Sequence, residues 1–64
     1  MRIYFEDRKL VGFCRSGLEK FFIQQGWDWQ AFLKNGRDAQ DFLNTGDAMA
    51  IQLVNAVKKS RNME

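Results

Sequence analysis

Apolar residues along this chain come in short groups at helical spacing, each group cut off by a glycine. The longest group runs from near Asp47 to about Arg61. There Met49, Ala50, Leu53, Val54, Ala56 and Val57 fall on one broad stripe, which predicts an amphipathic helix. Lys58, Lys59 and Arg61 occupy its last turns, where positive charge complements the helix dipole. Upstream, Leu18, Phe21, Phe22 and Gln25 share one face of a helix ending near Gln25. Ser16 and Glu19 have the spacing of a capping box at its start. Two shorter helices are predicted at Trp29–Asn35 and Ala39–Asn44. Arg2 to Phe5 reads as a short extended piece. Between Asp7 and Phe13 two readings compete. Either Asp7 caps a short helix, which is preferred, or Glu6–Lys9 is a loop leading to a second strand, Leu10–Phe13, in a hairpin. The expected fold is mainly α: a single compact cluster of four or five short helices over residues 1–64, with a short N-terminal extended segment and room for a small β element.

A repeated boundary signal supports this division. GWDWQAFLKN and GRDAQDFLNT both follow the pattern G-x-D-x-Q-x-F-L, and GDAMAIQLVN begins in a similar way. Glycine just past a helix end tolerates the left-handed conformation that closes it. An aspartate two residues later accepts hydrogen bonds from the free N–H groups of the next helix. Gly26 is thus expected to close one helix and Asp28 to open the next, with Gly36 and Asp38 repeating the step. Around Asp28, Trp27 and Phe32 hold the positions of a hydrophobic staple. At Asp38 Arg37 stands opposite Phe42, the staple is missing, and the corner is expected to be looser.

Composition narrows the functional classes. With 64 residues, the chain buries only about 60% of the surface its unfolded form exposes, so stability is marginal without help. A single cysteine, Cys14, rules out an internal disulfide and suits a reducing compartment. With no histidine, a zinc site is not expected, and no cofactor is implied. Nor does any stretch approach the roughly 18 apolar residues of a membrane helix. The N-terminal MRIYFEDRK turns charged before a signal-peptide core could form. A cytoplasmic protein is therefore expected.

Nothing in the sequence assembles a catalytic group. Cys14 lacks a histidine base and is expected to be a small buried apolar residue. Asp38 and Asp41 fall at helix-capping positions. Gly12, Ser16 and Gly17 match neither phosphate-loop spacing. The net charge of +2 is too small to signal nucleic acid by itself. In a nucleic-acid reading, Lys58, Lys59 and Arg61 are the candidate phosphate contacts. What stands out is the aromatic content: two Trp, one Tyr and six Phe, all between Tyr4 and Phe42. So small an interior has few places for them, and Trp29, Trp27, Phe42 and Arg37 become candidate partner-binding residues. If Trp27 is stapled onto Phe32, Trp29 is the freer of the two indoles.

The set Asp7, Gly12-Phe13-Cys14, Gly17, Phe21-Phe22, Gly26, Asp28-Trp29, Phe32, Gly36 and Gly46-Asp47-Ala48-Met49-Ala50 resembles a group of small proteins encoded by tailed bacteriophages and prophages. The resemblance covers nearly the whole chain and rests on glycine, cap and aromatic positions, not on a chemical motif. It implies a phage origin and synthesis in the host bacterial cytoplasm, with a place in the virion among the outcomes. It also implies roles such as assembly factor, head–tail connection piece or host-directed inhibitor, and assigns no catalytic or binding residue. The expectation is a non-enzymatic protein-binding module for virion assembly, its partner a phage or host protein or a second copy of itself. The rival is a small nucleic-acid-binding or host-directed regulator.

Overall fold

The computed structural model describes residues 1–62, so the last two residues of the expected domain lie outside it. It is 74% helical, with five helices and a two-stranded antiparallel sheet. Strand β1 (Arg2–Ile3) leads into a 3₁₀ helix (Phe5–Val11). Helices α1 (Arg15–Gln25) and α2 (Trp29–Asn35), strand β2 (Arg37–Asp38), and helices α3 (Ala39–Asn44) and α4 (Ala48–Asn62) follow. No helix among the described residues is long and apolar enough to cross a membrane.

The aspartate starts are local and hold as expected. Asp28 accepts from the Ala31 N–H at 3.1 Å, Asp38 from Gln40 at 2.9 Å and Asp47 from Ala50 at 3.0 Å. Gly26 closes α1 in the left-handed region, at φ 73° and ψ 24°. Gly36 departs from that pattern. Its φ of 74° is paired with ψ of −170°, a conformation essentially reserved for glycine, and the chain leaves α2 extended. It does so because β2 pairs with β1, Arg2 opposite Asp38 and Ile3 opposite Arg37. The Ala39 N–H then donates to the Met1 carbonyl at 2.8 Å. The Arg2 side chain donates to the Asn35 and Gly36 carbonyls at 2.9 and 2.8 Å, satisfying acceptors left free at the end of α2.

Two further boundaries differ from expectation. Residues 5–11 are helical, so the hairpin alternative is excluded, but the helix starts earlier than an Asp7 cap would place it. Asp7 is its third residue and reaches back to the Tyr4 N–H at 2.7 Å. α1 likewise starts before Ser16. Its cap is Cys14, whose sulfur accepts from the Gly17 N–H at 3.3 Å.

The core is a single cluster. Leu18, Phe21 and Phe22 of α1, Trp29 and Phe32 of α2, and Ala39 and Phe42 of α3 meet Ile3 of β1. Ala50, Leu53, Val54 and Val57 of α4 complete it, while Met49 of the expected stripe stays exposed. At its C-terminal end α4 is tied back to the N-terminus. Arg61 donates to the Arg2 carbonyl at 2.6 Å and to the Asp7 carboxylate at 2.6 Å.

A Cβ on Gly36 would lie 2.6 Å from the Ile3 carbonyl oxygen and 2.7 Å from the Tyr4 ring, whereas one on Gly26 meets nothing within 4 Å. Gly36→Ala is expected to cost upward of about 3 kcal/mol, since conformational strain and a backbone clash add. Gly26→Ala, strained by its conformation alone, is expected to cost about 1–2 kcal/mol. Urea midpoints of the two variants check this, and equal losses would remove the close approach of β1 from the explanation.

Candidate functional site

The four residues proposed from sequence as partner contacts do not all reach the surface. Phe42 is fully buried, and Trp29 is only 8% exposed. Trp29 packs edge-on against Phe5 and Phe22, at 5.9 and 5.3 Å between ring centroids, and tilted against Phe32 at 5.7 Å. Both are therefore core residues, and Trp29 is not the freer indole. The staple is also redistributed. Trp29 is the indole that lies against Phe32, while Trp27 meets Phe21, Phe22 and Phe42 at 5.6, 5.1 and 5.2 Å. A fully buried Phe22 draws both indoles inward, and only the half-buried Trp27 keeps a path to solvent.

Arg37 joins Trp27. Its guanidinium lies 4.1 Å from the Trp27 ring centroid, close enough for a cation–π contact. Its Nε stands 3.1 Å from an Asp41 carboxylate oxygen, with side chains 30% and 43% exposed. The Nε–H finds no aligned acceptor, so this contact is an ion pair without a directed hydrogen bond. The expected looseness of this corner is thereby offset, because the missing apolar staple is replaced by an arginine spread over the indole.

Beside this pair lies an open depression of about 230 Å³, lined by Gln25, Trp27, Asp41, Asn44 and Thr45. Gln25 is the last residue of α1, Asn44 the last of α3, and Thr45 the cap that follows. Thr45 spends its hydroxyl internally, donating to the Phe42 carbonyl at 2.7 Å and accepting from the Asp47 N–H at 3.1 Å. The Asn44 side-chain oxygen accepts from Gln40 at 3.0 Å, which leaves its amide N–H groups unspent. Sequence reasoning does not single out Asn44 or Thr45. Their only signal is position, since they are the two residues ahead of Gly46.

The residues named for a nucleic-acid reading also part company. Lys58 and Lys59 are exposed on α4, but Arg61 is committed to Arg2 and Asp7 and lies 5.5 Å from the Tyr4 ring centroid. It ties the fold together. Cys14 is exposed, not buried. The Ser16 hydroxyl, 3.6 Å away, and the Gly17 N–H both favour its thiolate, and they hold its pKa below the usual thiol value. Among the described residues no group of three or more His, Cys, Asp or Glu could hold a metal ion.

Because Trp29 is core, Trp29→Ala is expected to lower stability by about 3–5 kcal/mol, as large-to-small aromatic changes do. A urea midpoint unchanged from wild type would contradict its placement. For Cys14, the thiolate is favoured in the folded chain. Alkylation by iodoacetamide should therefore rise with pH at a lower midpoint in native protein than in urea, and Ser16→Ala should move the native midpoint upward. Identical native and urea profiles would refute the hydrogen-bonded cap. No family model matches this chain, and neither a curated protein nor a solved structure matches it, so the reading of the Trp27 depression rests on its own geometry.

Proposed function

We propose that this chain is a non-enzymatic protein-binding module that meets its partner at the Trp27 depression. The observation that carries this reading is an indole held from behind by three phenylalanine rings and from the side by Arg37, yet still reaching a polar, open hollow. Tryptophan and arginine anchors concentrate binding energy at protein interfaces. Here both are fixed before any partner arrives, so little side-chain freedom is lost on association. The resemblance to small tailed-phage proteins supports virion assembly or head–tail morphogenesis as the setting, with a phage or host protein as partner. The nucleic-acid alternative is less well supported, since Arg61, one of its three basic residues, is engaged within the fold.

A photo-crosslinking residue placed at Asn44, in the cells that carry the gene, should give one discrete protein adduct. The same residue at the exposed Gln52 of α4, outside the depression's lining, should not give it. Equal adducts from both positions, or none from position 44, would overturn the assignment. So would tight duplex-DNA binding lost steeply between low and physiological salt.

A further inference from the structure

The geometry points to a basic side chain, lysine or arginine, as the group that the Trp27 depression receives from its protein partner. This rests on the reading of the depression as a protein-binding surface and adds the chemistry of what enters it. Three features bear on the sign of the charge.

The first is the meeting of two helix ends. Gln25 closes α1 and Asn44 closes α3, and both line the hollow. Each helix end carries the negative pole of its dipole, equivalent to roughly half an elementary charge. Some of the terminal carbonyls are already satisfied. Those of Phe22 and Ile23 accept from the Trp27 and Gly26 N–H groups, and those of Phe42 and Leu43 from Thr45 and Gly46. Among the described residues no backbone donor reaches the carbonyls of Gln24, Gln25 or Asn44. Of these three residues, Gln25 and Asn44 line the hollow.

The second feature is Asp41, the one ionisable group among the five lining residues. Arg37 stands beside one of its oxygens, 3.1 Å away, and the other has no partner among the described residues. A carboxylate accepts at both oxygens, so a second cation can share it. The third is the indole. Arg37 sits 4.1 Å from the ring centroid, so the molecule already places one cation on this ring. Arg37 and Asp41 balance each other in charge, and the poles of the two helices remain uncompensated. A carboxylate or phosphate from a partner would have the unspent Asn44 amide N–H groups as donors, but it would stand against the Asp41 oxygen and the negative ends of two helices. An ammonium or guanidinium would meet acceptors.

The test is a titration of the full chain, observed by amide and indole NMR resonances at low salt, with Nα-acetyl-lysine methylamide as probe. Norleucine and glutamate analogues of the same probe are the controls. The lysine compound should shift the Trp27 indole and the Gln25 and Asn44 side-chain amides saturably. Asp41→Asn, verified as folded by its spectrum, should weaken binding by about fivefold or more, as loss of a charge partner does. Shifts of equal size with the norleucine or glutamate compound, or no shift at these positions with lysine, would overturn the assignment. If that happens while the crosslink at position 44 persists, only the basic-side-chain inference falls. If the crosslink is also absent, the reading of the surface falls with it.

Discussion

The molecule depends on Phe22. Its fully buried ring touches five others: Phe32 at 4.5 Å, Trp27 at 5.1 Å, Trp29 at 5.3 Å, Phe42 at 5.9 Å and Phe21 at 6.4 Å. One side chain of α1 thereby holds α2, α3 and the turn between α1 and α2. Aromatic pairs add about 0.5–1.5 kcal/mol each beyond the area they bury. A domain this small has about 5 kcal/mol to lose in all, and its lone thiol gives it no internal disulfide. The rings must therefore serve the core first, and a surface role falls only to one that the core cannot enclose.

That constraint explains where the candidate site is. Trp27 follows Gly26 at the exit of α1, and its ring is pulled towards Phe22 and Phe42. Phe42 belongs to α3, so the same contacts draw the end of α3 towards the end of α1. Two short helices that end near one ring leave a hollow between their last residues. The depression is thus a by-product of packing, and its polar lining of Gln25, Asn44 and Thr45 reflects what ordinarily stands at helix ends. Arg37 reaches this ring from β2, whose position depends on β1 and on the glycine-only turn at Gly36. The N-terminal strand therefore governs the site from a distance.

Sequence reasoning succeeds here where the determinants are local. The end of α1, both bounds of α2 and the start of α3 follow from Gly26, Asp28, Gly36 and Asp38, because a closing glycine and a capping aspartate act within a few residues of themselves. It fails where a distant segment decides. Gly36 has the look of another left-handed cap, and only the approach of Ile3 and Met1 makes the following residues a strand. The Ser16–Glu19 spacing is a genuine capping pattern, yet Cys14 provides the cap through its sulfur, an acceptor weak enough to be passed over. The site was half legible for a similar reason. Trp27 and Arg37 stand out by type, and the structure brings them together. Trp29 and Phe42 stand out equally and are core, because the number of rings in a chain says nothing about which ones the centre claims.

The basic end of α4 carries the same lesson further. Lys58, Lys59 and Arg61 suit the helix dipole as a group, but Arg61 has a second, long-range role that its neighbours lack. Its guanidinium meets the Asp7 oxygen that also accepts from the Tyr4 N–H, and another of its nitrogens donates to the Arg2 carbonyl. Asp7 is thus shared between the start of the 3₁₀ helix and the end of α4. An exposed ion pair alone contributes little. This one is anchored at both ends, by a strand residue's carbonyl and by a helix cap, so opening either terminus frees charged or hydrogen-bonded groups on the other. Coupling of this kind lets a chain with few core residues unfold as one unit instead of fraying from its ends. It also keeps β1 in place, and with it the strand from which Arg37 reaches Trp27.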